Sequence, residues 1–500
     1  MPTIVADVAT RGRNISHVGG GVLNTFCTDP AHGLGHQLSA LVSFDDLLPL
    51  QIRNYRGCAG FLDEGVNAIL DRLGVKNRQH VLSDSFGYPG IACFGDDGRT
   101  VSTDGGCELP GGSSGRNWTR WESVVESVVR GAVAGGRTDV QFDVWNEPDG
   151  GFWSGASESQ FHEAWARAVR VIRRISPQSM VVGPSMACPG GFDEPSRPTK
   201  QCAPSLPKNV SMMRRFFEAA RASDTLPDIV SWHEWAPNGQ NIIGHVQEMT
   251  DWLDREGIAY EGISVNEMII WDEWGQPGST VANWAALESV GSAGCRSAPD
   301  AGTSEQRLDA QACPNTMALP LSGAIDTNWF PGVVVGGALR FAVPTPPANI
   351  GGVTFERRSV WYAHEAYGNL SGQLLNISRP GFLSAMVTVA PPSAGERGGS
   401  VRAVIGANGG HSPQLLRNVT LLLRGCGGAA ARTASIAHIR PDTVCQSEAN
   451  GGNCSTDVGR STPLYSTVQV AQAAAGSLRL ALPPLEPQGV LSLRIEPGCG

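Results

Sequence analysis

Two stretches of the chain end in the same way. DVQFDVWNEP (139–148) alternates Val140, Phe142 and Val144 with Asp139, Gln141, Asp143 and Trp145, then delivers Asn146, Glu147 and Pro148 where the alternation stops. GISVNEM (262–268) closes on Asn266 and Glu267. A period of two is the pattern of a half-buried strand, so each carboxylate is expected at a strand end, beside an amide. A polar strand end before a turn is the structural alternative. Two carboxylates facing one pocket have a specific use in cleaving a glycosidic bond. One protonates the leaving oxygen while the other attacks or activates water. Mutual repulsion raises one of the two pKa values and suits that group to the acid role.

The elements that would position these groups can be read from the flanking sequence. Strand candidates are GGVLNTF (20–26), LQIRNY (50–55), RQHVLSDSF (78–86), DVQFDVW (139–145), SMVVGPS (179–185), DIVSWHEW (228–235), GISVNEM (262–268) and SAGCRS (292–297). Helical spacing recurs between them at Leu62, Val66, Ile69, Leu73, at Trp121, Val125, Val128, Ala132, and at Ile242, Val246, Met249, Leu253. Ser157 and Gln160 form a capping-box signature ahead of Phe161, Trp165, Ala168 and Ile172. Gly257 is placed to end a helix in the left-handed conformation. RRSVWYAHEAYGNL (357–370) is the eighth helix, reached after a long insertion from Pro299 to Phe355. Eight alternating β and α units, with no Gly-rich dinucleotide fingerprint after the first strand, predict an α/β fold: a (β/α)8 TIM barrel.

Catalytic groups of such barrels sit at the carboxyl ends of the strands. Strands four and seven carry Glu147 and Glu267 there. By parity Gln141, Asp143 and Trp145 point into the barrel and Glu147 continues that row into the mouth. Asp143 reads as a buried, paired structural carboxylate rather than a catalyst.

The expected barrel domain spans 12–372. From 373 to 500 the texture changes to runs such as FLSAMVTVA, VRAVIGAN, NVTLLLRG and GVLSLRI separated by Gly-, Pro- and Ser-rich turns. That texture predicts a C-terminal antiparallel β-sandwich, with residues 1–11 adding a strand.

The 500-residue chain carries a net charge of −9, which argues against nucleic acid or an anionic membrane as partner. It holds no apolar run of membrane-spanning length. Twelve cysteines without CxxC metal spacing accompany N-x-[ST] sequons at Asn14, Asn117, Asn209, Asn369, Asn376, Asn418 and Asn453. Together they predict a secreted, disulfide-bonded glycoprotein, its leader absent from MPTIVADVAT. The expected short-loop pairs are Cys93–Cys107, Cys188–Cys202, Cys295–Cys313 and Cys445–Cys454, with Cys27–Cys58 and Cys426–Cys499 by elimination.

FDVWNEPDGGFW resembles the acid/base motif of clan A glycoside hydrolases, and W-N-E-P followed by F-W is most similar to glycoside hydrolase family 39. The resemblance implies retaining chemistry on a barrel with an attached β-sandwich. It implies that Glu147 is the acid/base, that Asn146 holds the sugar 2-hydroxyl and that Glu267 is the nucleophile. Arg53, or in competition with it Arg56, matches the strand-two arginine that keeps the nucleophile ionised. His233 in SWHEW falls where the clan places a polar or aromatic residue beside the nucleophile. Trp153, Trp235 and Trp271 are candidate platforms for sugar rings, with core packing the equal alternative for each. Glu261 and Glu273 compete with Glu267 for its role.

No HExxH zinc site exists, since positions 166, 237 and 368 are Ala, Pro and Gly. Gly111–Gly115 fits a nucleophile-elbow pattern without its strand-to-helix context. The reading is therefore a retaining glycosidase, with a carbohydrate substrate and neither metal nor organic cofactor. A catalytically silent glycan-binding barrel, or a transglycosylase or lyase on the same scaffold, are the alternatives. The absence of a Lys/Arg cluster near the strand ends favours a neutral sugar.

Overall fold

The computed structural model describes residues 2–23, 47–57, 64–75, 77–82, 109–111, 118–138, 140–149, 153, 156–187, 212–234, 239, 242–268, 273, 276–290, 317–318, 333–335, 338–339, 353–355, 357, 359–392, 399–408, 415–426, 432–441, 443–445, 454–456, 462–472 and 476–499. Strand β1 (Thr3–Asn14) comes first. Then β2 (Gly21–Leu23), β3 (Asn54–Gly57), β4 (Asn77–Val81), β5 (Gln141–Asp143), β6 (Met180–Met186), β7 (Ile229–Glu234), β8 (Gly262–Met268) and β9 (Met317–Ala318) lie side by side in chain order. Every neighbouring pair is parallel. Helices α1 (Glu64–Leu73), α2 (Thr119–Ala134), α3 (Glu158–Ile175), α4 (Met212–Ala222), α5 (Ile242–Arg255) and α6 (Pro277–Val290) fall between successive strands from β3 to β9, and α7 (Ser359–Gly368) follows. The sheet curls far enough for side chains of its second and seventh strands to touch, as Arg56 and Glu267 do.

Two strand assignments differ from the sequence reading. The eighth place is taken by Met317–Ala318, paired with Ser264 and Val265, whereas 292–297 lies outside the described residues. The second strand begins at Asn54, because Leu48–Leu50, which includes Pro49, forms a 3-10 turn instead.

Helix α3 shows how the local signals work. Ser157 Oγ accepts the Gln160 N–H at 3.1 Å, while the Gln160 amide donates to the Pro110 carbonyl, so half of the capping box forms. Its buried face includes Phe161, Trp165, Ala168 and Ile172, of which Phe161 and Ile172 contribute roughly 1.5–3 kcal/mol each when fully buried. Trp165 lies directly on β6 at Gly183, where a Cβ would meet the ring at 2.2 Å. Helix α5 ends as expected, with Gly257 at φ +64 and Ile258 N–H donating to the Leu253 carbonyl. Helix α6 lacks a helical stripe for a different reason. Almost all of it is buried, between α7 on one side and the β domain on the other.

The remaining strands include a small sheet of β10 (Val333–Val335), β11 (Ala338–Leu339) and β12 (Val353–Phe355). After it come β13 (Gln373–Ser378), β14 (Leu383–Val389), β15 (Gly399–Ala407), β16 (Thr420–Arg424), β17 (Arg432–Ile439), β18 (Thr443–Cys445), β19 (Cys454–Thr456), β20 (Leu464–Gln472), β21 (Ser477–Ala481) and β22 (Val490–Cys499). Nine strands close into one barrel in the order β1-β13-β14-β15-β22-β17-β20-β21-β16, in place of the expected stacked sandwich. Strand β1 causes the closure. It pairs antiparallel with β13 and parallel with β16, covering both edges that would otherwise be left open.

The two sheets meet through Val281, Trp284, Ala363, Tyr367, Met386 and Val404. Gly278 N–H donates to the Gln488 carbonyl at 2.8 Å. Glu288 accepts from Arg13 and Val18 N–H and from the Tyr367 hydroxyl at 2.6 Å, pinning the crossing from β1 to β2. Cys426 and Cys499 form a disulfide, and Cys445 pairs with Cys454 in the register of β18 and β19. The other eight cysteines lie outside the described residues. Asn14, Asn369, Asn376 and Asn418 are all exposed, as an acceptor of a glycan must be.

Candidate active site

Arg56, on β3, is the hub of a polar cluster in the interior of the parallel sheet. Its side chain has no solvent exposure. The guanidinium donates from Nε to Asp143 Oδ2 at 2.8 Å, from Nη1 to Glu267 Oε1 at 2.7 Å and from Nη2 to Asn146 Oδ1 at 2.8 Å. Of the two arginines weighed from sequence, Arg53 stands outside the cluster. It is exposed and donates to Gln51.

Asp143 is the counter-ion within the wall. It also accepts from Ser185 Oγ at 2.8 Å and from Asn266 Nδ2 at 3.1 Å. Ser185 in turn lies 2.8 Å from Ser231 Oγ. A buried guanidinium needs this partner, because an unpaired charge in the interior costs several kcal/mol.

Local backbone irregularities aim the reactive groups. The expectation that parity carries Glu147 inward from Trp145 does not hold. Strand β5 stops at Asp143, and Trp145 joins the helix-side core against Trp121 and Trp153 at ring separations of 5.8 and 4.9 Å. Glu147 enters the mouth instead through a left-handed backbone, φ +48, a conformation uncommon outside glycine. Between β7 and β8 the register slips, so that Trp232 faces Val265 but His233 faces Glu267. The slipped residue is Asn266, which is why both Asn266 and Glu267 serve the interior. A second slip, between Pro184 and Met186, turns Ser185 inward with φ +53.

His233 bridges the two glutamates. Its Nδ1 lies 2.8 Å from Glu147 Oε1 and 3.5 Å from Glu267 Oε2. Burial holds the imidazole neutral, lowering its pKa to about 3. One oxygen each of Glu147 and Glu267 lies with the imidazole nitrogen in a group whose members are all within 4.8 Å of one another. Among the described residues these three are the group able to hold a metal ion. The Arg56 cation bound to Glu267 opposes a divalent ion there.

Burial raises the pKa of Glu147 to about 7, partly offset by Arg56. Burial also raises Glu267, against the pull of His233 and Arg56. The two carboxyls cannot both ionise at low cost this close together. Arg56 contacts Glu267 directly, which favours the ionised form of that carboxyl. Glu147 keeps 14% side-chain exposure, so it faces the opening.

Trp153 is 4% exposed and packs against Trp145 and Phe161, donating its indole N–H to the Ser157 carbonyl. It belongs to the core. Trp235 and Trp271 lie outside the described residues. Glu261 is exposed at the start of β8, and Glu273 is buried beyond its end. Sequence reasoning missed Ser185 and Ser231, which carry no motif. The only available signal for Ser185 was the Gly-Pro-Ser run, whose proline interrupts the ladder.

No family model matches the chain, and no curated protein does. Solved structures do resemble it. A protein from Neocallimastix frontalis, N2152, is 15% identical, with TM-score 0.58 and 99% of each chain covered. A monomeric β-xylosidase from Caulobacter crescentus CB15 is 13% identical, with TM-score 0.57, 99% of this chain and 100% of the other covered. The GH39 enzyme from Xanthomonas axonopodis pv. citri is 14% identical, with TM-score 0.55, and 99% and 97% covered. Such low identities speak to architecture alone: along its whole length, the chain has the fold of the GH39 β-xylosidases and other clan A glycosidases.

Proposed function

We propose that the protein is a retaining glycoside hydrolase acting by double displacement. The observation that carries this reading is the approach of the Glu147 and Glu267 carboxyls, with a guanidinium on one and a pKa raised by burial on the other. Retaining enzymes hold their carboxyls ~5–5.5 Å apart, and inverting ones need ~6.5–9.5 Å to admit a water. The oxygens here, within 4.8 Å of each other, favour retention.

In the first step the ionised Glu267 attacks the anomeric carbon while Glu147 donates its proton to the departing oxygen. The carboxylate–carbon bond forms as the carbon–oxygen bond breaks. In the second step Glu147, now ionised, takes a proton from water, which displaces Glu267 and restores both groups. Because Asn146 Oδ1 is occupied by Arg56, its N–H₂ end is the one offered to a sugar hydroxyl. His233 holds Glu147 without carrying charge of its own. No metal or organic cofactor is needed for these steps. The disulfide and the exposed sequons support an extracellular setting.

The test is proton NMR of the first product anomer from a panel of aryl glycosides. Retention is expected, and an inverted product would reassign Glu267 as a general base.

A further inference from the structure

A second cavity lies on the outside of the closed β domain, where the end of α7 approaches β15, β17, β20 and β22. It encloses about 650 Å³. It is not part of the catalytic mouth. Tyr367, near the end of α7, accepts the Gly19 N–H just ahead of β2, so this end of the helix serves the amino ends of the parallel strands. Glu147 and Glu267 stand at the carboxyl ends.

The register places its lining in two cross-strand rows. Arg402 faces Arg494, Arg494 faces Ser435, and Ser435 faces Thr467. Ser492 faces Ala437, which faces Tyr465. Residues alternating with these, such as Ala403, Leu493 and Ile436, fill the core of the domain, so both rows look outward.

Two guanidiniums directly opposite one another across antiparallel strands repel. Only one forms a direct ion pair among the described residues. Arg494 Nε bonds Glu496 at 2.8 Å, whereas Arg402 donates Nη1 to the Asn369 carbonyl, and its buried Nε has no partner. Burial and Arg494 both pull the Arg402 pKa down, and the one nearby carboxylate that opposes them, Glu496, is already bonded to Arg494. In the other row of the same cavity, two strands over from Arg494, Tyr465 is 75% exposed. A large ring left in water on a folded surface, next to hydroxyls and unmet positive charge, combines the flat face that stacks on a pyranose with donors for a carboxylate.

We propose that this groove is an ancillary binding site for an acidic oligosaccharide. A uronate carboxylate would meet Arg402 and Arg494, and a ring of the same oligosaccharide would lie on Tyr465. The site goes beyond the catalytic reading and does not depend on it, because occupancy can be measured without turnover.

Isothermal titration of the whole protein tests it, comparing a glucuronic-acid-substituted xylo-oligosaccharide with its unsubstituted counterpart and with inorganic sulfate. The acidic sugar is expected to bind more tightly than either, and less tightly as salt rises. Arg402→Gln should weaken it roughly tenfold, the value of one charge-assisted hydrogen bond. Tyr465→Ala, at a position too exposed to unfold the domain, should weaken it several-fold, and Tyr465→Trp should restore binding. Cleavage of a small aryl glycoside should be unchanged in all three variants. Equal binding of the acidic and neutral sugars, sulfate binding as tightly as the sugar, or indifference to both Arg402→Gln and Tyr465→Ala would each overturn the proposal.

Discussion

Arg56 Nη1 stands 2.7 Å from Glu267 Oε1, with no solvent on the guanidinium. This contact distinguishes the two glutamates, since among the described residues no cation bonds Glu147 directly. Arg56→Met should therefore do two things. It strands Asp143 and Glu267 as buried carboxylates, costing about 3–5 kcal/mol of stability. It also lets the Glu267 pKa rise, moving the acidic limb of the activity profile upward. Chemical denaturation and a kcat/KM pH profile read the two effects separately.

The leaving group separates the roles of the glutamates. A positioned general acid contributes ~10²–10⁴-fold, and less when the leaving group needs no proton. Glu147→Gln should cripple cleavage of natural glycans but spare the first step on a nitrophenyl glycoside. Glu267→Gln should abolish both. Azide should accelerate Glu147→Ala and give a glycosyl azide of retained configuration. Near wild-type activity in Glu267→Gln would shift attention to Glu273.

Activity should fall as pH rises through about 7, the value to which burial lifts Glu147. Stability should follow the same group. Its folded pKa lies above its unfolded one, so its contribution is complete below about 4.5 and lost as pH passes about 7. Glu147→Gln removes that dependence. Relative to wild type, the variant should gain ~3 kcal/mol in unfolding free energy between acidic and mildly alkaline pH. Urea titrations at the two pH values measure the difference, and a constant offset would contradict it.

Trp153 tests the boundary between core and pocket. Trp153→Ala should cost about 3–5 kcal/mol, as expected for emptying a large core site. KM of the folded fraction should stay close to wild type, whereas a sugar platform would raise it. Thermal unfolding and initial rates on the same samples decide between the two.

The Cys426–Cys499 bond closes a long loop, with a sequence separation of 73. In the chain-entropy account its removal costs about 4 kcal/mol. Denaturant unfolding of the Cys426→Ala, Cys499→Ala double variant measures this directly. Peptide mapping of native protein under non-reducing conditions should return the remaining five expected pairs.

Most of the parallel strands were legible where an apolar run neighbours a helical stripe, the eighth at Met317–Ala318 excepted, and Glu147 and Glu267 because they end such runs. What pattern reading could not reach was aim. Glu147 owes its direction to a positive φ and Glu267 to a register slip, and neither leaves a mark on hydrophobic periodicity. Arg53 and Arg56 differ only in where β3 begins, a boundary displaced by the turn at Leu48–Leu50. Helix α6 was hidden for the opposite reason, since a helix buried on nearly all sides shows no amphipathic stripe. The amino-terminal strand was expected in the β domain, but its pairing with both β13 and β16, which closes the sheet into a barrel, leaves no mark on the alternation of residues.

That last arrangement has a cost during synthesis. Strand β1 is made before every other described strand, yet its partners β13 and β16 follow only after the whole parallel-stranded region. At ribosomal speeds of ~5–20 residues per second, some 360 intervening residues mean a wait on the order of 20–70 s with both edges of β1 unpaired. Throughout that interval the nascent chain displays an apolar, edge-exposed strand carrying Ile4, Ala6 and Val8. Chaperone occupancy of the nascent β1 segment should therefore persist until β16 has left the ribosome.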